Sequence, residues 1–143
     1  MDGERRIGRE AIIFANRIHR TIDKETSKYG VTGVQGRILG YIYRESDKRN
    51  VFQKNIEQEL DIRRSSVTSV LQLMEKNGLI NRISVCEDGR LKKLILTEKG
   101  LETHYKVRAC IDKIEESFRN QLSIDEFNML ISLIERLSKK IAE

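Results

Sequence analysis

Residues 55–100 read NIEQELDIRRSSVTSVLQLMEKNGLINRISVCEDGRLKKLILTEKG, and two hydrophobic periods share this one stretch. Ile56 and Leu60 lie four residues apart, Ile62 follows, and Val67, Val70, Leu71 and Met74 recur at i, i+3, i+4 and i+7, the spacing of an apolar stripe on a helix. Two short helices joined by a turn around Ile62 then meet at about a right angle. The second helix buries its stripe and leaves Ser65, Thr68, Ser69, Gln72 and Lys76 on the other face. A short polar helix face with little to block its approach is what a major groove admits. After Gly78 the period drops to two. Ile83 and Val85 alternate with Arg82 and Ser84, Asp88-Gly89 marks a hairpin turn, and Leu94 and Leu96 lie on the return strand. A helix-turn-helix followed by a small basic β-hairpin is a winged helix.

The bulk properties narrow the class. A chain of 143 residues can form one domain with a sizeable core but not two independent ones. Charged residues make up 34% and hydrophobic ones 38%, which suits a helix-rich protein with a charged surface. No apolar run approaches the roughly 20 residues of a membrane span. The first ten residues, MDGERRIGRE, are charged rather than apolar, so no secretory signal and a cytoplasmic location are expected. The net charge is +5, and residues 63–93 hold seven basic and three acidic side chains. Residues 98–120 balance at zero and 121–143 sum to −1. The positive excess therefore sits on the second helix and hairpin, where phosphate contacts would be made. Pro is absent, so no ring breaks a helix. Two cysteines, Cys86 and Cys110, are too few for a disulfide framework and point to a reducing compartment.

Helix starts are also written in the chain. Thr32 and Asn50 each stand three residues before a Gln, Ser123 stands three before Glu126, and Leu122 and Phe127 are spaced as a hydrophobic staple. Thr97 is placed to cap the helix after the second wing strand. A first helix is expected from about Glu4 to Lys28, with Ile7, Ala11, Phe14, Ile18 and Ile22 on one stripe. Val107, Ile111, Ile114 and Phe118 form a second stripe, and Phe127, Leu130, Ile131, Ile134, Leu137 and Ile141 a third. A winged helix is too small to cover all three. They must pack on each other or on a second copy.

At these residues the chain resembles the MarR family of bacterial transcription regulators. The family's wing signature is Asp, any residue, Arg, five residues, Leu-Thr, two residues, Gly. It stands here as Asp88-Gly89-Arg90, residues 91–95, Leu96-Thr97, Glu98-Lys99 and Gly100. The run from Leu73 to Ile80 matches as well. The resemblance covers the whole chain and implies a mainly α fold with a small β-hairpin wing. Residues 1–143 would form a single MarR-like domain. Residues 1–30 and 98–143 would be the helical dimerisation region, and 31–97 the winged helix-turn-helix lobe. Two positions depart from the pattern: Asp61 stands where Gly is common in the turn, and Arg63 where Ser or Thr opens the helix. Asp tolerates the left-handed conformation. Arg63 has no side-chain oxygen with which to cap.

The resemblance implies a homodimer on double-stranded DNA, since a pseudo-palindromic site needs two recognition helices about 34–36 Å apart and a twofold dimer supplies them. Ser65, Thr68, Ser69 and Gln72 are the base-edge candidates; Gln can bridge adenine N6 and N7. Arg63 and Arg64 at the helix entrance are candidates for a backbone or guanine contact, Lys76 is a further DNA-binding candidate on the outer face, and Ser65 and Ser66 serve equally well as local caps. Arg90 at the wing tip is placed to enter a narrow minor groove, with Asp88 holding its guanidinium and Lys92 and Lys93 on flanking phosphates. The bland reading of Asp88 and Arg90 is an exposed ion pair worth about 0–1 kcal/mol.

Other chemistries find less support. There is no phosphate-binding loop, and the two histidines, His19 and His104, stand on separate helices. His19 and Asp23 are the one pair with ligand spacing, better read as a surface hydrogen bond. An enzyme, a metal and a cofactor are therefore not expected. A cysteine redox switch of the same fold is one alternative. Hydroperoxide sensors of the family place the reactive cysteine near the N-terminus, where this chain has none, and Glu87 and Asp88 beside Cys86 raise rather than lower a thiol pKa. A winged helix that binds a protein partner is the other alternative. The family also implies a small aromatic or phenolic effector. His19 and Tyr41 are its candidate lining residues, each equally explained as ordinary core-edge side chains.

Overall fold

The computed structural model describes residues 5–85 and 89–142. They form two compact units, one ending at Cys110 and one beginning at Ile111.

The first unit opens with α1 (Ile7–Thr26), which tightens into a 3-10 turn at Ser27–Tyr29. Helix α2 (Gly33–Glu45) starts at Thr32 with the expected capping box. The Gln35 amide N–H donates to Thr32 Oγ1 at 3.2 Å, and Gln35 Oε1 accepts from the Thr32 N–H at 3.0 Å. A third acceptor arrives from α1, where Asp23 Oδ1 takes the Gly33 N–H at 2.7 Å. Asp23 thus anchors the start of α2. Gly33 also lets α1 and α2 close up, since a Cβ there would stand 2.7 Å from Ile22 Cγ2.

Helix α3 (Gln53–Leu60) and helix α4 (Arg64–Lys76) follow. Asp61 between them has φ 51° and ψ 49°, the left-handed turn that the sequence allowed it. Arg63 sits at the start of α4 and makes no side-chain cap. The start of α3 differs from expectation, because Asn50 does not cap it. Val51 is buried and its carbonyl accepts from the Leu94 N–H at 2.7 Å, which keeps the chain extended through Phe52. The helix opens later, and Asn55 Oδ1 turns back to accept from the Phe52 N–H at 2.9 Å.

Strands β1 (Ile80–Ser84) and β2 (Lys92–Leu96) pair antiparallel, with Ile80 opposite Leu96, Arg82 opposite Leu94 and Ser84 opposite Lys92. This register corrects the expected phase. Ile80 and Leu94 are buried, so Arg82 falls on the inward side, half-buried, while Ile83 is 41% exposed. The strand starts in the core at Leu79-Ile80, and counting by twos from Ile80 brings Arg82 inside.

The core of this unit is built from Ile38, Leu39 and Ile42 on α2, Ile56 on α3, Val67, Leu71 and Met74 on α4, and Ile80 and Leu94 on the hairpin. Val107 of α5 (Glu98–Arg119) joins it. Gly36 of α2 lies so close that a Cβ would stand 2.7 Å from Val107 Cγ1. The second unit holds the end of α5 and α6 (Ile124–Ile141). Ser123 caps α6 in the expected box with Glu126, whose carboxyl the Ser123 backbone and side chain hold below its usual range. Every residue of α6 except Phe127 is exposed, including Leu130, Ile131, Ile134 and Leu137.

Candidate nucleic-acid interface

The residues proposed to meet DNA lie on α4 and the hairpin. Ser65, Ser66, Ser69, Gln72 and Lys76 are all exposed on α4, with Arg63 and Arg64 exposed at its start. Ser69 Oγ donates to the Ser65 carbonyl at 3.2 Å, which leaves its lone pairs outward. Arg90 and Lys92 are exposed on the hairpin and Lys93 is half-buried. Asp88 and Cys86 lie outside the described residues.

Thr68 stands apart from the others. It is half-buried, its hydroxyl donates to the Arg64 carbonyl at 2.9 Å, and it accepts from Gln53 Nε2 at 2.7 Å. Both roles of the hydroxyl are filled inside the protein, and the Gln53 amide also approaches the Arg64 carbonyl at 3.4 Å. Gln53 carries no local sign of this place in the sequence, because its spacing from Asn50 reads as a helix cap, and neither do Arg82 and Lys54. With Gln53, Arg64, Arg90 and Lys92 they line a groove of about 470 Å³ between α3, α4 and the hairpin. The localised positive charge was the available signal, but the strand phase assigned to Arg82 hid its place.

The wing signature has a structural job. Thr97 Oγ1 donates to the Gly78 carbonyl at 2.5 Å and accepts from the Gly100 N–H at 3.0 Å, while the Thr97 N–H donates to the Leu79 carbonyl at 3.1 Å. A Cβ at Gly100 would collide with that same Leu79 carbonyl oxygen. Lys99 Nζ adds a bond to the Asn77 carbonyl at 2.8 Å. The Leu-Thr-x-x-Gly run therefore clasps the base of the hairpin to the end of α4.

A model of the MarR family matches residues 29–91, from before α2 through the hairpin turn. Over that stretch the chain is similar to the MarR family. The structure of MarR from Oenococcus oeni PSU-1 is 28% identical, with TM-score 0.79, over 94% of this chain and 99% of that one. Two more distant structures share the fold. The MepR–DNA complex of Staphylococcus aureus is 21% identical, with TM-score 0.89, over 98% and 99% of the two chains. PcaV of Streptomyces coelicolor, in complex with its natural ligand, is 22% identical, with TM-score 0.84, over 100% and 98%. The proteins it is similar to are transcription regulators, one of them solved in complex with DNA.

The residues weighed for other roles fall as follows. Tyr41 is buried, its hydroxyl accepts a short bond from Arg49 Nη2, and its ring lies within 6.0 Å of the Arg44 and Arg49 guanidinium carbons. His19 is exposed on α1. Cys110 is half-buried in α5 and its thiol donates to the Val107 carbonyl at 3.2 Å. Among the described residues no His, Cys, Asp and Glu group is arranged to hold a metal, and no helix is long and apolar enough to cross a membrane.

Proposed function

We propose that this chain acts as a homodimer that binds a pseudo-palindromic operator in double-stranded DNA, represses transcription from it in the cytoplasm, and is released by a small aromatic effector. The observation that carries the reading is the outer face of α4. Ser65, Ser69, Gln72 and Lys76 are all exposed there, on a helix whose opposite face is locked in the core by Val67, Leu71 and Met74. Polar side chains on a rigid helix suit base edges in a major groove. Arg90 on the hairpin is suited to the neighbouring minor groove.

The dimer is supported by apolar surface that a single chain leaves in water. Ile12 is 64% and Phe14 50% exposed on α1, and Ile134 is 50% and Leu137 46% exposed on α6. Such faces mark an interface. Release by an effector is supported by the fold match to PcaV, solved with its natural ligand. An effector would act by binding one spacing of the two DNA lobes better than another.

Selection from a fragmented genomic DNA pool tests the proposal. Purified protein should enrich fragments that share an inverted repeat with half-sites about one helical turn apart. Protein that retains no duplex at low salt would instead be acting through another partner. Enrichment of a single unrepeated site would remove the twofold operator.

A further inference from the structure

His104 closes a seam between α2 and α5, two helices that supply none of the residues proposed to meet DNA. It is 5% exposed. Its ring lies against the bare backbone of α2 at Gly40, where a Cβ would meet His104 Cε1 at 3.7 Å. Tyr43 of α2 stacks on it at 4.4 Å between ring centroids, and Tyr105 of α5 flanks it at 5.5 Å. The Tyr105 hydroxyl donates to the Tyr43 hydroxyl at 3.4 Å and so does not serve the imidazole. His104 Nε2 is buried with no hydrogen-bond partner among the described residues. A charged imidazole carries N–H groups on both ring nitrogens and needs an acceptor for each. This site offers Nε2 none. The groups around it are Tyr43 and Arg44 from α2 and Tyr105 and Arg108 from α5, and Arg44 is itself paired with Glu59 of α3 at 3.4 Å. Burial first, then the charges of Arg108 and Arg44, hold the imidazole pKa below its ordinary value.

We propose that His104 is a proton-operated release for DNA: in acid the imidazole leaves its seat, α2 and α5 part at this turn, and the chain lets go of the duplex. The inference rests on the DNA-binding reading and adds control by pH to it. The seam is joined at both sides to the parts that hold α4 and the hairpin in place. Helix α2 supplies Ile38, Leu39 and Ile42 to the core on which α4 rests. His104 lies one turn beyond Gly100, whose Cα is pressed against the Leu79 carbonyl at the foot of the hairpin. A closed seam excludes the proton and an open one accepts it, whereas the duplex needs the closed one. Proton and duplex therefore compete through a single opening. The sign follows from the two states. The closed state has the lower pKa, so affinity is complete above about pH 6.5 and falls as pH drops toward the closed-state value.

Fluorescence anisotropy with a labelled random-sequence duplex, at constant ionic strength and from about pH 7.5 to 5.5, tests the release. The parent should bind about threefold or more weakly at the acid end, with a ceiling of tenfold per protomer for each unit by which the open-state pKa exceeds the closed one. His104→Phe keeps a ring in the seam but takes no proton, and should lose no affinity. His19→Asn, which removes the other histidine, should follow the parent. Nuclear magnetic resonance titration of the parent's imidazole Cε1 protons, with and without the duplex, supplies the reciprocal measurement. Duplex should lower the His104 pKa by the logarithm of the same affinity ratio, whereas nearby phosphates acting on an uncoupled histidine would raise it. Equal losses in the parent and His104→Phe, or a His104 pKa that duplex leaves unchanged or raises, would overturn the release. So would far-UV circular dichroism that falls in step with binding, since the loss would then be unfolding. A parent that binds no duplex at any pH would overturn the reading beneath it. Should His104→Phe fail to fold, the two titrations of the parent decide the matter alone.

Discussion

Gln53 donates to the Thr68 hydroxyl, and Thr68 in turn donates to the Arg64 carbonyl, so the polar side chains of α4 are not equivalent. Thr68 is a brace between α3 and α4, whereas Gln72, one turn on, is exposed. Thr68→Val should lose about 0.5–1.5 kcal/mol of stability, the net value of one such hydrogen bond, and leave base preference unchanged. Gln72→Ala should leave stability alone and lose ~1–3 kcal/mol of discrimination at one base pair per half-site. Binding to a set of single-base operator variants separates the two. If Thr68→Val relaxes one position as Gln72→Ala does, the threonine reads DNA after all. A different residue bears on the response to acid. His104 is buried on α5, stacked on Tyr43 at 4.4 Å, and its pKa is lowered by burial and by the charges of Arg108 and Arg44. The unfolded chain takes up a proton on this imidazole near pH ~6.5, but the folded one resists until lower pH. The stabilisation is therefore complete above about pH 6.5 and is lost as pH falls toward the folded value. Denaturant midpoints between pH 7.5 and 5 should decline less in His104→Phe than in the parent, and equal declines would place the acid sensitivity on other groups.

At the scale of the element, the hairpin is held at its base. The clasp of Thr97 and Gly100 on the carbonyls of Gly78 and Leu79 allows no extra atom at Gly100, since its obstacle is backbone and cannot rotate away. Gly100→Ala should cost at least the ~1–3 kcal/mol of an overpacked core, read from thermal or denaturant unfolding, and an unchanged midpoint would contradict the geometry. Much of this was legible beforehand. The apolar stripe of α4, the left-handed Asp61, the boxes at Thr32 and Ser123 and the cap at Thr97 follow from rules that act within one turn of chain. What escaped depends on partners distant in sequence. Asn50 lost its capping role because Leu94, over forty residues on, holds Val51 extended. Arg82 changed sides because the core fixes Ile80 first. The groove joins residues from 52 to 94, and no local pattern announces it.

At the scale of the whole molecule, the exposed rows on α1 and α6 lead to an assembly prediction. Sedimentation should give a homodimer, and Leu130→Lys with Ile134→Lys should convert it to a folded monomer, because both positions already face water in the single chain. That monomer should bind a half-site at least tenfold more weakly than the dimer binds a full operator, since the second half-site would no longer be held nearby. A double variant that stays dimeric would move the interface away from α6. The clasp at the foot of the wing bears on descent as well as stability. Thr97 and Gly100 are demanded by the joining of hairpin to helix, and neither has to touch DNA for the fold to need them. A descendant of such a chain could lose the exposed cations of α4 and the hairpin, yet keep the Leu-Thr-x-x-Gly run intact. The motif that marks the fold and the cations proposed to meet DNA are thus free to drift apart.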